Sequence, residues 1–155
     1  AIFSAIAFSR IWLDWFWGGI FLLISGFFDI VDGSVARATN NITKHGAFLD
    51  SVFDRVSEIL VYGGLIIGGI GEPIIIFTAL ASSMMVSYTR TKGESLNVKV
   101  SGIGIGERAE RIFILAILSI IGYPYYGVNI VLVLASLTFV QRLIFITKKL
   151  KNNNI

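Results

Sequence analysis

No charged residue interrupts the 30 positions from Ile112 to Gln141, and none falls between Pro73 and Thr89. A helix on the surface of a soluble protein is amphipathic, with a polar face turned to water. Uncharged runs of this length suit a chain that folds in lipid, where a span takes about 20 apolar residues. Composition agrees: 15% of residues are charged, against about 25% in soluble domains, and mean hydropathy is +0.79. Helical segments are expected over 15–37, 46–70, 73–90, 108–122 and 126–147, with Pro73 and Pro124 in short turns. Residues 1–9 are too short to span, and Ala1 opens in apolar sequence. Most of a first helix is therefore expected to lie upstream. The expected fold is an all-α integral membrane protein, a bundle of six transmembrane helices forming a single domain over 1–155, N-terminally truncated. Residues 148–155 form a solvated cytoplasmic tail. Without cysteine, neither disulfides nor thiol chemistry enter.

Charge placement orients such a bundle. With alternating spans, Arg37, Lys44, Arg55, Arg90, Lys92, Lys99, Arg108, Arg111, Arg142, Lys148, Lys149 and Lys151 fall on one side, and Arg10 falls opposite. The positive-inside rule makes the basic side cytoplasmic. Trp12, Trp15, Trp17, Tyr123, Tyr125 and Tyr126 gather on the other face, as interfacial aromatic residues do.

Against this background four carboxylates stand out. Asp29, Asp32, Gly33, Ala36 and Arg37 recur at i, i+3, i+4, i+7 and i+8, one stripe of a helix; Gly46, Asp50 and Asp54 form a second, each one turn after the last. Ionisable groups within a bilayer are costly and mark function. Capping, or pairing with Arg37 or Arg55, would account for one or two of them, not four with Glu58 a further turn on. If the two helices face each other, the carboxylates converge, and hard oxygen donors then call for one or two divalent cations. Gly33, Ala36 and Gly46 leave room beside the acids, Arg37 suits a phosphate, and His45 reads as a solvated loop residue. A divalent-cation transporter would instead spread acids through both leaflets. Here only Asp14 and Glu72 lie toward the far side.

The pattern Asp29-x2-Asp32-Gly33-x2-Ala36-Arg37-x8-Gly46-x3-Asp50-x3-Asp54 fixes eight positions within 26 residues and resembles, without departure, the signature of CDP-alcohol phosphotransferases. The hydropathy resembles that family's six-helix membrane fold. The resemblance implies an enzyme of phospholipid biosynthesis that moves a phosphatidyl-type group, on diacylglycerol or archaeol, from a CDP-lipid to an alcohol and releases CMP. It further implies two Mg2+ or Mn2+ ions on Asp29, Asp32, Asp50 and Asp54, and a nucleotide held along Asp29, Asp32, Gly33, Ala36, Arg37 and Gly46. Asp54 resembles the general base, and a homodimer follows the family. No nucleic-acid partner is expected.

Basic residues at the end of the fourth span, the start of the fifth and within the last bring guanidinium groups from three helices, which suit a cage for a phosphate dianion. By resemblance to the acceptor-phosphate residues of phosphatidylinositol-phosphate and archaetidylinositol-phosphate synthases, these are Arg90, Arg111 and Arg142. The resemblance implies inositol 1-phosphate as acceptor, with glycerol 3-phosphate as the alternative. Serine or choline would leave the basic cluster without a role.

Overall fold

A computed structural model describes residues 1–10, 14–38 and 43–153, the side chains of 30, 32–38 and 153 excepted. The described residues form six helices and no strand: α1 (Ile2–Phe8), α2 (Trp15–Ala38), α3 (Lys44–Ile67), α4 (Pro73–Ser95), α5 (Arg108–Ile120) and α6 (Pro124–Asn153). Both prolines open helices instead of sitting in turns. A first-turn N–H has no partner within the helix, so proline loses nothing there and presets φ. His45 likewise belongs to α3 and is exposed. That helix starts earlier because Thr43 Oγ1 accepts the Gly46 amide at 3.0 Å, an N-cap that satisfies one orphan donor. The basic tail continues α6 as an exposed helical extension to Asn153.

The helices close into a ring in which α1 meets α2, α2 meets α5, α5 meets α6, α6 meets α4, α4 meets α3 and α3 returns to α1. The helices α4 and α6 run parallel: Ser82 Oγ lies 3.2 Å from Ser136 Oγ, and further along Arg142 Nη1 donates to the Val86 carbonyl at 2.9 Å. The acidic helices α2 and α3 are not a closely packed pair; α1 stands between them. It sits close because Gly64 carries no side chain, and a Cβ there would strike the Ala5 backbone.

Phe8, Leu22, Val61, Leu65, Ile76, Leu115, Val128 and Val131 fill the centre of the ring. Yet Ser4, Ser83, Ser119, Thr138, Glu58, Arg111 and Arg142 are also buried, while Phe27, Phe53, Phe77, Phe113, Val133, Leu137, Leu143 and Ile144 face outward. Polar groups inside and an apolar exterior reverse the distribution expected in water. By length and composition, one described helix, Pro124–Asn152, is long and apolar enough to cross a membrane. In α3, Asp50, Asp54, Arg55 and Glu58 dilute the apolar run. The 13 residues of α5 reach about 20 Å, short of the roughly 30 Å hydrocarbon core.

Candidate active site

The ring brings one end of five helices together: the second half of α2, the first half of α3, the end of α4, the start of α5 and the latter half of α6. Asp29 arrives from α2, and Asp50, Asp54 and Glu58 descend α3 one turn apart. Arg108 and Arg111 occupy successive turns of α5. At the centre lies Arg108, whose Nη1 is 2.8 Å from both Asp29 Oδ2 and Asp54 Oδ1. Its Nε is 3.5 Å from Glu58 Oε1. Two carboxylates on helices that do not pack together therefore meet on one nitrogen from a third helix.

Of the four acids expected to converge, Asp29 and Asp54 meet on Arg108. Among the described residues no three carboxylates or histidines are close enough to hold one metal ion. Arg108 is lodged between Asp29 and Asp54, and Asp50 is exposed a turn away. The side chains of Asp32, Gly33, Ala36 and Arg37 lie outside the described residues. Gly46 is exposed in the first turn of α3.

A cavity of about 270 Å³ joins the acidic and basic groups. Asp50, Asp54, Glu94 and Glu107 line it together with Arg55, Arg90, Arg108, Arg111 and Arg142. The three expected phosphate ligands thus share one chamber with two of the expected metal ligands. Each guanidinium also has a partner within the protein. Arg90 Nε donates to Glu94 Oε1 at 3.1 Å, an exposed pair. Arg111 Nη1 donates to the Gly106 carbonyl at 2.6 Å, and its Nη2 lies 3.5 Å from Glu58 Oε1. Arg142 donates through Nε to the Ile103 carbonyl at 2.8 Å and through Nη1 to that of Val86 at 2.9 Å. These bonds hold the flat groups of Arg111 and Arg142 in fixed orientations before any ligand arrives.

The carbonyls of Ile103 and Gly106 belong to the connection between α4 and α5, whose contribution the sequence did not announce. Gly104, at φ 109°, packs against Thr138 of α6, a backbone conformation open to glycine and little else. Glu107 ends the connection with three jobs. Its backbone amide donates to Glu110 Oε2 at 2.8 Å in a capping box, its Oε1 accepts from the Gly102 amide at 3.1 Å, and the same oxygen lies 3.5 Å from Arg142 Nη2. The pairing of Glu107 with Glu110, three residues apart at a helix start, was the available signal. Arg108 and Glu58 carried a weaker one, being charged residues at helical spacing from Arg111 and Asp54.

Beyond Arg108 a second cleft of about 770 Å³ opens between α2 and α5. Leu23, Gly26, Phe27, Ile112 and Phe113 make its apolar walls, with Asp29 and Arg108 at the polar end. Arg108 thus borders a charged chamber on one side and an apolar slot on the other. Such a junction suits a ligand with a charged head and an apolar body.

Residues 1–144 match the family described as CDP-alcohol phosphatidyltransferase. The archaetidylinositol phosphate synthase of Pyrococcus horikoshii is 40% identical over 133 residues, which cover 86% of this chain and 71% of that protein. Among solved structures, the phosphatidylinositol phosphate synthase of Mycobacterium tuberculosis with CDP-DAG bound superposes with a TM-score of 0.81 at 25% identity, covering 94% of this chain and 79% of that one. The same enzyme in complex with manganese and citrate gives a TM-score of 0.79 at 26% identity, covering 94% and 76%. With the eight-position motif intact and the fold shared along nearly its whole length, the chain is a member of the CDP-alcohol phosphatidyltransferase family.

Proposed function

We propose that this enzyme transfers the phosphatidyl-type group, diacylglycerol or archaeol phosphate, of a CDP-lipid to inositol 1-phosphate and releases CMP. The observation that carries the reading is the shared chamber: Asp50 and Asp54 line a single cavity with Arg90, Arg111 and Arg142, and Arg108 in its wall ties Asp54 to Asp29. The archaeal and mycobacterial relatives, named as archaetidylinositol phosphate and phosphatidylinositol phosphate synthases, support the same acceptor. The apolar cleft beside Asp29 suits the donor's hydrocarbon part, and the chamber suits a phosphorylated polyol.

The donor set fits a hard divalent metal. Asp29 and Asp54 offer carboxylate oxygens to one point, now satisfied by a guanidinium nitrogen 2.8 Å from each. Asp50 borders the same chamber, and oxygen-only donors favour Mg2+ or Mn2+. Asp29, Asp32, Asp50 and Asp54 would hold two such ions, which when bound neutralise the diphosphate and the charge developing on departing CMP. The protein's own groups do the rest. Arg111 and Arg142 orient the acceptor's phosphate so that its hydroxyl faces the donor phosphorus. Asp54 takes the hydroxyl proton as the new P–O bond forms, while the bond to the CMP oxygen breaks with its electron pair leaving on CMP. On the family signature, Asp29, Asp32, Gly33, Ala36, Arg37 and Gly46 would hold the nucleotide.

The apolar exterior and polar interior support a multi-pass protein with six spans. The basic end, which carries the site, then faces the cytoplasm, and residues 148–155 lie there as a tail. Family membership supports a homodimer. Purified chain offered CDP-archaeol or CDP-diacylglycerol with inositol 1-phosphate, glycerol 3-phosphate, inositol or serine, with CMP release followed, tests the reading. CMP release with glycerol 3-phosphate alone would replace the acceptor, and release with unphosphorylated inositol at equal rate would end the phosphate cage.

A further inference from the structure

The carboxylates that would hold metal are already neutralised by a residue of the chain itself, and that residue has a second partner waiting. Arg108 Nη1 bridges Asp29 and Asp54 at 2.8 Å. Its Nε lies 3.5 Å from Glu58 Oε1 without making a hydrogen bond. Glu58 is 7% exposed, and its other oxygen, Oε2, is buried with no hydrogen-bond partner. The N–H of Arg108 Nε looks toward Glu58 Oε1, which Arg111 Nη2 also approaches at 3.5 Å, while Glu58 Oε2 has no partner; guanidinium and carboxylate form an incomplete pair. Leaving such groups unpaired is costly, so the pair gains if Arg108 is released from Asp29 and Asp54.

We propose that Arg108 is an exchangeable counter-ion: it holds Asp29 and Asp54 together in the metal-free enzyme and shifts onto Glu58 when a divalent cation takes those carboxylates. Without it, two acids on helices that do not pack together would repel at the mouth of an apolar bundle. With it, the metal enters a site already assembled, and the displaced guanidinium keeps a partner. Arg108 is then a positioning residue, and Glu58 is what makes its displacement inexpensive. This rests on the reading of Asp29 and Asp54 as metal ligands.

Mn2+ binding to the purified chain in detergent micelles, followed by the loss of the free-ion EPR signal, tests the exchange alongside thermal unfolding with and without Mn2+. Arg108→Gln should bind Mn2+ about tenfold more tightly, the effect of removing one charge-assisted competitor. It should lower Tm in the metal-free protein and leave Tm unchanged at saturating Mn2+. Glu58→Gln should bind Mn2+ about tenfold more weakly, because the retreat is gone. A merely structural Arg108 would lower both Tm values alike and leave the affinity alone, and that result overturns the proposal. So does weaker Mn2+ binding by Arg108→Gln, or unaltered binding by Glu58→Gln. Asp29→Asn separates the two readings. If it binds Mn2+ as the parent does, the metal assignment itself fails; if it loses Mn2+ while Arg108→Gln binds no tighter, only the exchange fails. Should Arg108→Gln not fold, the unaltered chain decides. With 15N-labelled arginine side chains, the signal that disappears in Arg108→Lys should move as Mg2+ is added, and one that stays in place overturns the exchange.

Discussion

At the scale of single residues, charge and its neutralisation decide what the site can do. Asp29→Asn and Asp50→Asn keep side-chain size and remove a negative donor, so turnover should fall to background while the far-UV circular dichroism spectrum is retained. Turnover in EDTA equal to that in Mg2+ would contradict the metal role of these acids. Arg142 carries two loads at once, since it is buried and donates to the carbonyls of Ile103 and Val86. Arg142→Ala should therefore raise the KM for inositol 1-phosphate tenfold to a hundredfold, as loss of a charge-assisted bond worth roughly 1.5–3 kcal/mol requires. It should also lower Tm, because the Ile103 carbonyl loses the guanidinium donor and the Val86 carbonyl keeps only Thr89 Oγ1 among its side-chain donors. The KM for the CDP-lipid should change little, whereas Arg37→Ala should show the reverse preference. Initial-rate measurements with each substrate varied in turn would separate the two. The acids at helical spacing were legible from sequence because period and residue type both mark them. Arg108 was not, since its role depends on how α5 sits against α2 and α3, and that contact is set by packing between distant segments.

At the scale of elements, hydropathy located the long helices, and local chemistry set where they begin: side-chain caps for α3 and α5, prolines for α4 and α6. The segment expected from 46 starts at Lys44 because Thr43 caps it, and the one expected to close at Arg90 runs to Ser95. Positive charge near the end of α4 is no reason for a helix to stop; cations there complement the helix dipole. Less legible was the 97–107 connection, whose apolar Val98 and Val100 are buried and whose carbonyls orient Arg111 and Arg142. Glycine-rich sequence of this kind reads as a loop, and nothing in its composition says which carbonyls turn inward. Glu107→Ala should cost about 1–2 kcal/mol by removing the cap, seen as a lower Tm, and should raise acceptor KM as well. A change in Tm with acceptor KM untouched would make Glu107 a cap and nothing more.

At the scale of the whole molecule, the absence of cysteine makes orientation directly measurable. Ser95→Cys, at the end of α4, should react with an impermeant maleimide from the cytoplasmic side of membrane vesicles. Tyr126→Cys, near the start of α6, should react from the other side. Labelling of both from one side would contradict the proposed topology. Closure of the helices into a ring explains why the carboxylates could be listed from sequence while their arrangement could not: α2 and α3 meet through α1 and, across the site, through α5. The gap between Asp29 and Asp54 is consequently a circumference, gauged by every shoulder-to-shoulder contact around the hoop. A leucine wedged at Gly64, on the far rim from the acids, would widen that gauge as surely as a change beside them. Gly64→Leu should loosen Mn2+ along with the fold, and titration of the metal would register a displacement that begins at the opposite end of the molecule.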